Sequence, residues 1–122
     1  MTTTNSLYNF HRDGFYEILD PRTHTIEWLD AQVNSGGIQV WGDQAACILT
    51  QNKHFPTGAF EVHVMAAIGS KTQLISVTIK QVERWAKDIG ALFVTIASRK
   101  GWEREMRPYD YEFWQSELRK EV

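Results

Sequence analysis

The segment from Phe60 to Ala97 constrains the fold more than any other part of this chain. Phe60, Val62, Val64 and Ala66 alternate with Glu61, His63, Met65 and Ala67, the two-residue period of a β-strand. From about Thr72 to Ile89 the period changes. Ile75, Ile79, Val82, Ala86 and Ile89 recur at steps of four and three, the apolar stripe of an amphipathic helix, and Gly90 supplies its C-terminal stop. Ala91 to Ala97 then runs almost without a polar residue, as a central strand covered on both faces requires. Strand, long helix, strand is a crossover unit, with parallel strands and a right-handed connection. A chain built around it belongs to the α/β class.

The flanking sequence adds elements on both sides. Ser6 to Ile18 places Leu7, Phe10, Phe15, Tyr16 and Ile18 at roughly helical spacing, and Asp20-Pro21 ends that helix. Thr25 is a candidate N-cap for a second helix through Trp28, Leu29, Ala31, Gln32 and Val33, which stops at Gly36-Gly37. Ile38, Val40 and Trp41, the turn signal Gly42-Asp43 and the apolar run Ala45 to Thr50 predict a hairpin, and a loop around Pro56 to Gly58 leads into the Phe60 strand. Downstream, a short helix is expected from about Lys100 to Arg107, ended by Pro108, and Tyr111 to Leu118 reads as a last strand.

A chain of 122 residues, with no repeat, low-complexity tract or linker-like stretch, reads as the single domain 1–122. Hydrophobic content of 43% with 23% charged residues is that of a globular protein. The net charge of −2 gives no global attraction to phosphate backbones or anionic lipids, which argues against bulk nucleic-acid binding. The polar start, Met1 to Ser6, has no signal-peptide pattern, and no apolar run reaches membrane-spanning length, so a cytoplasmic protein with no membrane association is expected. The single cysteine, Cys47, excludes an intramolecular disulfide framework, and its place inside an apolar run reads as core packing. His11, His24, His54 and His63 show no ligand spacing, so no metal site is expected. Five tryptophans, spread through the chain, read as anchors for successive elements.

The order of elements resembles the Gcn5-related N-acetyltransferase (GNAT) fold, shortened at its N-terminus, with a core from about residue 25 to 122. A more specific resemblance, to small phage-encoded GNAT-like proteins, is carried by Gly37-Ile38-Gln39-Val40-Trp41, by Val82-Glu83-Arg84-Trp85-Ala86 ahead of Gly90, and by Ser98-Arg99-Lys100-Gly101-Trp102-Glu103-Arg104. It implies a mixed central sheet with N-terminal helices and one long crossover helix, acetyl-CoA as cofactor, and a phage or prophage origin with a place in the host cytoplasm or the virion.

The resemblance also implies site residues. The pyrophosphate of the cofactor would lie on backbone N–H groups at the start of the long helix, where unsatisfied donors and the helix dipole favour an anion. That places cofactor binding on Ala67, Ile68, Gly69, Ser70, Lys71 and Thr72. The family pattern Gln/Arg-x-x-Gly-x-Gly/Ala aligns with Ala66-Ala67-Ile68-Gly69-Ser70-Lys71, so only its first glycine is present. Replacing Gly69 with a bulky residue is then expected to abolish CoA binding while the domain stays folded. A plain strand-to-helix turn is the competing reading of the same residues. Glu61 and His63, on one face of the preceding strand, are the implied general bases, against the plainer reading of surface partners on a half-exposed sheet. Aligning Asp110-Tyr111 with the family's Gly-Phe/Tyr puts Met106 where a proton-donating tyrosine is usual, and a thioether cannot donate; Tyr109 takes that role only in a shifted register. Arg99, with Lys100, Arg104 and Arg107 around Trp102, is a candidate for a CoA phosphate, against a solvated helix face with an i,i+4 pair between Glu103 and Arg107.

Two functional expectations follow. One is an acetyl-CoA-dependent N-acetyltransferase with a degenerate active site. The other is a non-catalytic phage protein that uses the scaffold for interaction with a protein partner, of the virion or the host. A second copy of the chain, capping the exposed edge of so short a sheet, stays open beside both.

Overall fold

The computed structural model describes residues 3–97 and 101–122. Two helices come first, α1 (Ser6–Ile18) and α2 (Ile26–Ser35), followed by strands β1 (Gln39–Gly42), β2 (Ala46–His54) and β3 (Phe60–Gly69). A helical rod then leads back to β4 (Phe93–Ile96), and a short helix and a 3₁₀ turn complete the elements. The sheet order is β1-β2-β3-β4, antiparallel except for the parallel β3–β4 pair that the crossover connects. One core lies between the sheet and the rod, around Val62, Val64, Val82 and Ala86; the other lies between the sheet and α1–α2, around Tyr8, Phe15, Leu29 and Leu49.

Local chemistry explains the helix ends. The Asn5 side chain accepts from the Tyr8 N–H and Thr25 Oγ1 accepts from the Trp28 N–H, each occupying a donor that the first turn leaves free. Gly36 ends α2 at φ 82°, a conformation that glycine adopts without strain. Between α1 and α2, Asp30 is 1% exposed and takes two hydrogen bonds from the Arg12 guanidinium, at 2.9 and 2.8 Å, plus one from the Tyr8 hydroxyl. This clasp joins the two helices through groups that are far apart in sequence.

The expected long helix is present but not uniform. It consists of α3 (Lys71–Gln73), a π-helical turn (Leu74–Thr78) and α4 (Ile79–Asp88), with the backbone in the right-handed helical region through both junctions. In the π turn the Ile79 N–H reaches back five residues to the Leu74 carbonyl. That bonding brings residues five apart onto one side, so Leu74 and Ile79 are both buried, whereas a regular α-helix would turn them apart.

Two expectations are corrected. Ala91 to Ala97 is not a central strand covered on both faces: only Phe93–Ile96 is β4, it stands at the sheet edge, and Leu92 and Phe93 are 60% and 54% exposed. The strand expected over Tyr111 to Leu118 is absent: that segment has no regular structure, and past Tyr111, whose N–H bonds to the Met106 carbonyl at 3.4 Å, its backbone finds no partner among the described residues. The short helix is α5 (Gly101–Met106), continued by a 3₁₀ turn (Arg107–Tyr109) around Pro108.

Candidate active site

The site forms where β3 and β4 part. Their pairing covers Glu61–Val64 against Phe93–Ile96 and closes with the Ala97 N–H on the Val64 carbonyl. Beyond that point β3 continues from Met65 to Gly69 with β2 on one side and, among the described residues, no strand on the other. A bulge helps to turn it away: Thr50 pairs with Val64 but Leu49 with Ala66, so Met65 is an extra residue on β3.

The parting opens a cavity of about 430 Å³. Val64, Met65, Ala66 and Ala67 line it from β3, Leu74, Ile75 and Ile79 from the rod, and Ile96 and Ala97 from the end of β4. Trp102 and Met106 of α5 close one wall, and Ile18 and Leu19 at the end of α1 close the other. Every one of these side chains is apolar or the indole of Trp102, so the walls select an apolar ligand portion. The unpaired edge of β3 supplies the polar part, because its backbone groups need partners.

At the start of the rod the turn that leads out of β3 controls four N–H groups. Ser70 N–H bonds to the Ala45 carbonyl at 2.8 Å, and Gln73 N–H is capped by Ser70 Oγ at 3.3 Å. The N–H groups of Lys71 and Thr72 have no acceptor within the helix and none elsewhere among the described residues. Two such donors at a helix N-terminus are groups that an anion could accept from. The Lys71 ammonium is 2.6 Å from Glu105 on α5, so its charge is shared with that carboxylate.

Gly69 has a different part from the one expected of it. Its φ is +105°, and a Cβ there would lie 2.3 Å from the Ala45 carbonyl oxygen and 2.7 Å from Ala46 Cα. The missing side chain therefore makes room for β2, and a bulky replacement disturbs the fold itself rather than CoA binding alone. Ile68 is directed to the α1–α2 side, against Gly14. Ala67 is on the cavity wall; Lys71 and Thr72 carry the two free N–H groups, whereas the Ser70 N–H is taken by Ala45 and its hydroxyl by Gln73.

His63 lies two residues before Met65, about 7 Å along the strand, on the side of the sheet that carries α1 and α2. Its Nδ1 is 2.8 Å from Thr95 Oγ1, and Nε2 has no partner among the described residues. Burial, then the nearby Lys53 charge, lowers its pKa below the usual 6.5, with Glu61 opposing. The imidazole is therefore neutral at pH 7, the state a base needs. An NMR titration should give His63 a midpoint below 6.5, moving upward in Lys53→Ala; a midpoint above 6.5 would contradict this environment. Glu61 Oε2 is buried with no hydrogen-bond partner among the described residues, leaving a carboxylate oxygen open to a cationic group.

The proton donors do not converge in the same way. Tyr109 is 42% exposed, lies outside the cavity wall, and has the Lys80 ammonium 5.3 Å above its ring. Tyr111 points elsewhere, its hydroxyl donating to Glu83 at 2.9 Å, and burial with the Glu83 charge raises its pKa. Met106 occupies the wall instead. Arg99 and Lys100 lie outside the described residues; Glu103 and Arg107 pair at 3.5 Å as their spacing implies. Cys47 is buried, and burial pushes its thiol up to about 12, so it is no nucleophile. Among the described residues no group of three His, Cys, Asp or Glu side chains is placed to hold a metal ion, and no helix is long and apolar enough to cross a membrane.

This arrangement of sheet and crossover rod is shared with solved structures of acetyltransferases. The chain is similar in structure to a putative acetyl transferase from Pyrococcus furiosus, with a TM-score of 0.69 at 12% identity over 95% of this chain and 91% of that one. It is also similar to a predicted acetyltransferase with acetyl-CoA from Clostridium acetobutylicum (TM-score 0.66, 10% identity, 94% and 87% covered). Glucosamine-6-phosphate N-acetyltransferase from Arabidopsis thaliana matches at 0.66 with 12% identity, over 93% and 92% of the two chains. No protein-family model matches the chain, and no curated protein matches it by sequence. The fold is therefore GNAT-like: a mixed α/β sheet with N-terminal helices and a crossover helix.

Proposed function

We propose that the chain binds an acyl-CoA at the parting of β3 and β4 and transfers the acyl group to an amine. The observation that carries this reading is the coincidence, in one place, of an apolar cavity, an unpaired strand edge and two free helix N–H groups. An acyl-CoA presents an apolar arm with amides, a pyrophosphate and an activated thioester, and the three features match those groups in kind. Lys71 and Thr72 N–H would hold the pyrophosphate, and the Met65–Gly69 edge would pair with the amides. His63, neutral and with Nε2 free, would take the proton of the acceptor amine, and Glu61 would attract that amine in its charged form. Met106 offers no proton, so the leaving thiolate would be protonated by water.

Lys71 is the first helical residue after the Ser70 cap, a position at which proline fits because no helical hydrogen bond is lost. Lys71→Pro removes one of the two free donors, while Lys71→Ala removes only the ammonium. Calorimetric titration with CoA should show Lys71→Pro binding roughly tenfold more weakly than Lys71→Ala, the effect of one hydrogen bond to a charged group. Equal affinities in the two variants would count against pyrophosphate binding on these N–H groups.

A second reading has its own observation. The cavity wall carries no ionisable side chain, and neither Tyr109 nor Tyr111 reaches it. A protein that keeps the scaffold for interaction with a protein partner is expected to turn over no amine.

A further inference from the structure

The cavity at the parting of β3 and β4 is open to both layers of the fold. Leu74, Ile79, Trp102 and Met106 line it on the side of the rod, with the core around Val62 and Val82. Leu19, Met65 and Ala66 line it from the other side, and all three pack with the core around Tyr8 and Leu49. Ile18, the last residue of α1, adds to that second wall and is 50% exposed. The cavity therefore passes through the sheet where the two strands separate. The free N–H groups of Lys71 and Thr72 are at the start of the rod, and from there the unpaired edge of β3 runs back from Gly69 to Met65, about 13 Å at ~3.3 Å per residue. A donor held along that edge brings its thioester beside Met65. An acetyl group reaches one methyl beyond the thioester carbonyl, which leaves Ile18, Leu19 and Ala66 facing water or a void. Apolar surface left in that way gains neither its transfer free energy nor its dispersion contacts.

We propose that the acyl group this protein accepts is a hydrocarbon chain of several carbons, longer than acetyl, seated against Ile18, Leu19, Met65 and Ala66. The inference rests on the acyl-CoA reading and names the donor that suits it. With the thioester beside Met65, the chain continues through the parting toward the end of α1 and covers Ile18 at the mouth. His63 stays clear of it, because it lies two residues back along β3, in the paired part of the strand, with Thr95 as its neighbour on β4. The amine then approaches over His63 while the chain lies toward α1, so the two do not compete for one wall. Among the described residues the lining offers no carboxylate, ammonium, amide or hydroxyl side chain, so an acyl group that ends in a charged or hydroxylated carbon would be buried without a partner. A plain hydrocarbon is what such walls select.

Calorimetric titration of the full chain with CoA, acetyl-CoA and hexanoyl-CoA tests this. Each buried methylene tightens binding roughly three- to fourfold, so the added length of hexanoyl over acetyl should gain on the order of a hundredfold. Ile18→Asp places a charge at the mouth of the second wall. Ile18 is half exposed, so the variant should keep the wild-type circular dichroism and bind CoA as before, yet lose most of the hexanoyl gain. Equal affinities for hexanoyl-CoA and acetyl-CoA, or a gain that Ile18→Asp leaves intact, would overturn the longer chain while the acyl-CoA reading stands. Binding of none of the three would overturn both.

Discussion

Gly69→Val will remove most or all of the stability of this domain. The added Cβ would stand 2.3 Å from the Ala45 carbonyl oxygen, and that oxygen cannot retreat without giving up the Ser70 N–H it accepts at 2.8 Å. The backbone at φ +105° adds strain for any side chain, most of all a β-branched one. Together these amount to about 4 kcal/mol or more, against a total of roughly 5–15 kcal/mol for a domain of this kind. Urea unfolding followed by circular dichroism should show a midpoint shifted strongly down or no cooperative transition. A midpoint near wild type would mean that β2 and the β3–α3 turn are not packed as described. The same clash explains why Gly69 is a poor probe of cofactor binding, and why Lys71 is a better one.

Asp30→Ala is the second large loss expected. The carboxylate accepts from Arg12 and from Tyr8, and its removal strands the buried Tyr8 hydroxyl and one end of the guanidinium. Breaking a buried pair costs about 3–5 kcal/mol, and the lower end applies because Arg12 is 37% exposed and partly solvated. The hydrogen bonds from Arg12 hold the Asp30 carboxyl below the usual carboxylate range. Its contribution is thus present above the unfolded carboxyl pKa, about 3.9, and is lost as pH falls through the lower folded value. Urea midpoints of wild type and Asp30→Ala should differ widely at pH 7 and converge as the pH is brought below 4. A gap that widens on acidification would contradict the clasp.

Much of the fold was legible because its signals are local. The period change between Phe60 and Ile89, the Thr25 cap and the Gly36 stop each depend on residues a turn or a pleat apart, and all three are present. The π turn was not legible: the stripe through Ile75 and Ile79 gives no sign that Leu74 would be the buried partner, because the inserted residue changes the period only locally. Nor was the Tyr8–Arg12–Asp30 clasp, in which a charged residue of an amphipathic helix turns inward to meet a helix 18 residues away in sequence. The site divides along the same line. The free N–H groups of Lys71 and Thr72 follow from a strand-to-helix turn, which the order of elements carries. The cavity is set by where β3 and β4 separate, a property of strand pairing that neither strand carries by itself. Tyr109 is near Met106 in sequence, but the 3₁₀ turn around Pro108 carries it away from the wall.

Acyl-CoA binding at the parting of β3 and β4 is what the proposed function depends on. The most direct test is a titration of the wild-type chain with acetyl-CoA followed through backbone amide NMR signals. Saturable shifts are expected at Met65–Thr72 and at Leu74, Ile79 and Trp102, with the α1–α2 clasp unchanged. No shifts, or shifts confined to the surface around Arg22 and Arg119, would contradict it.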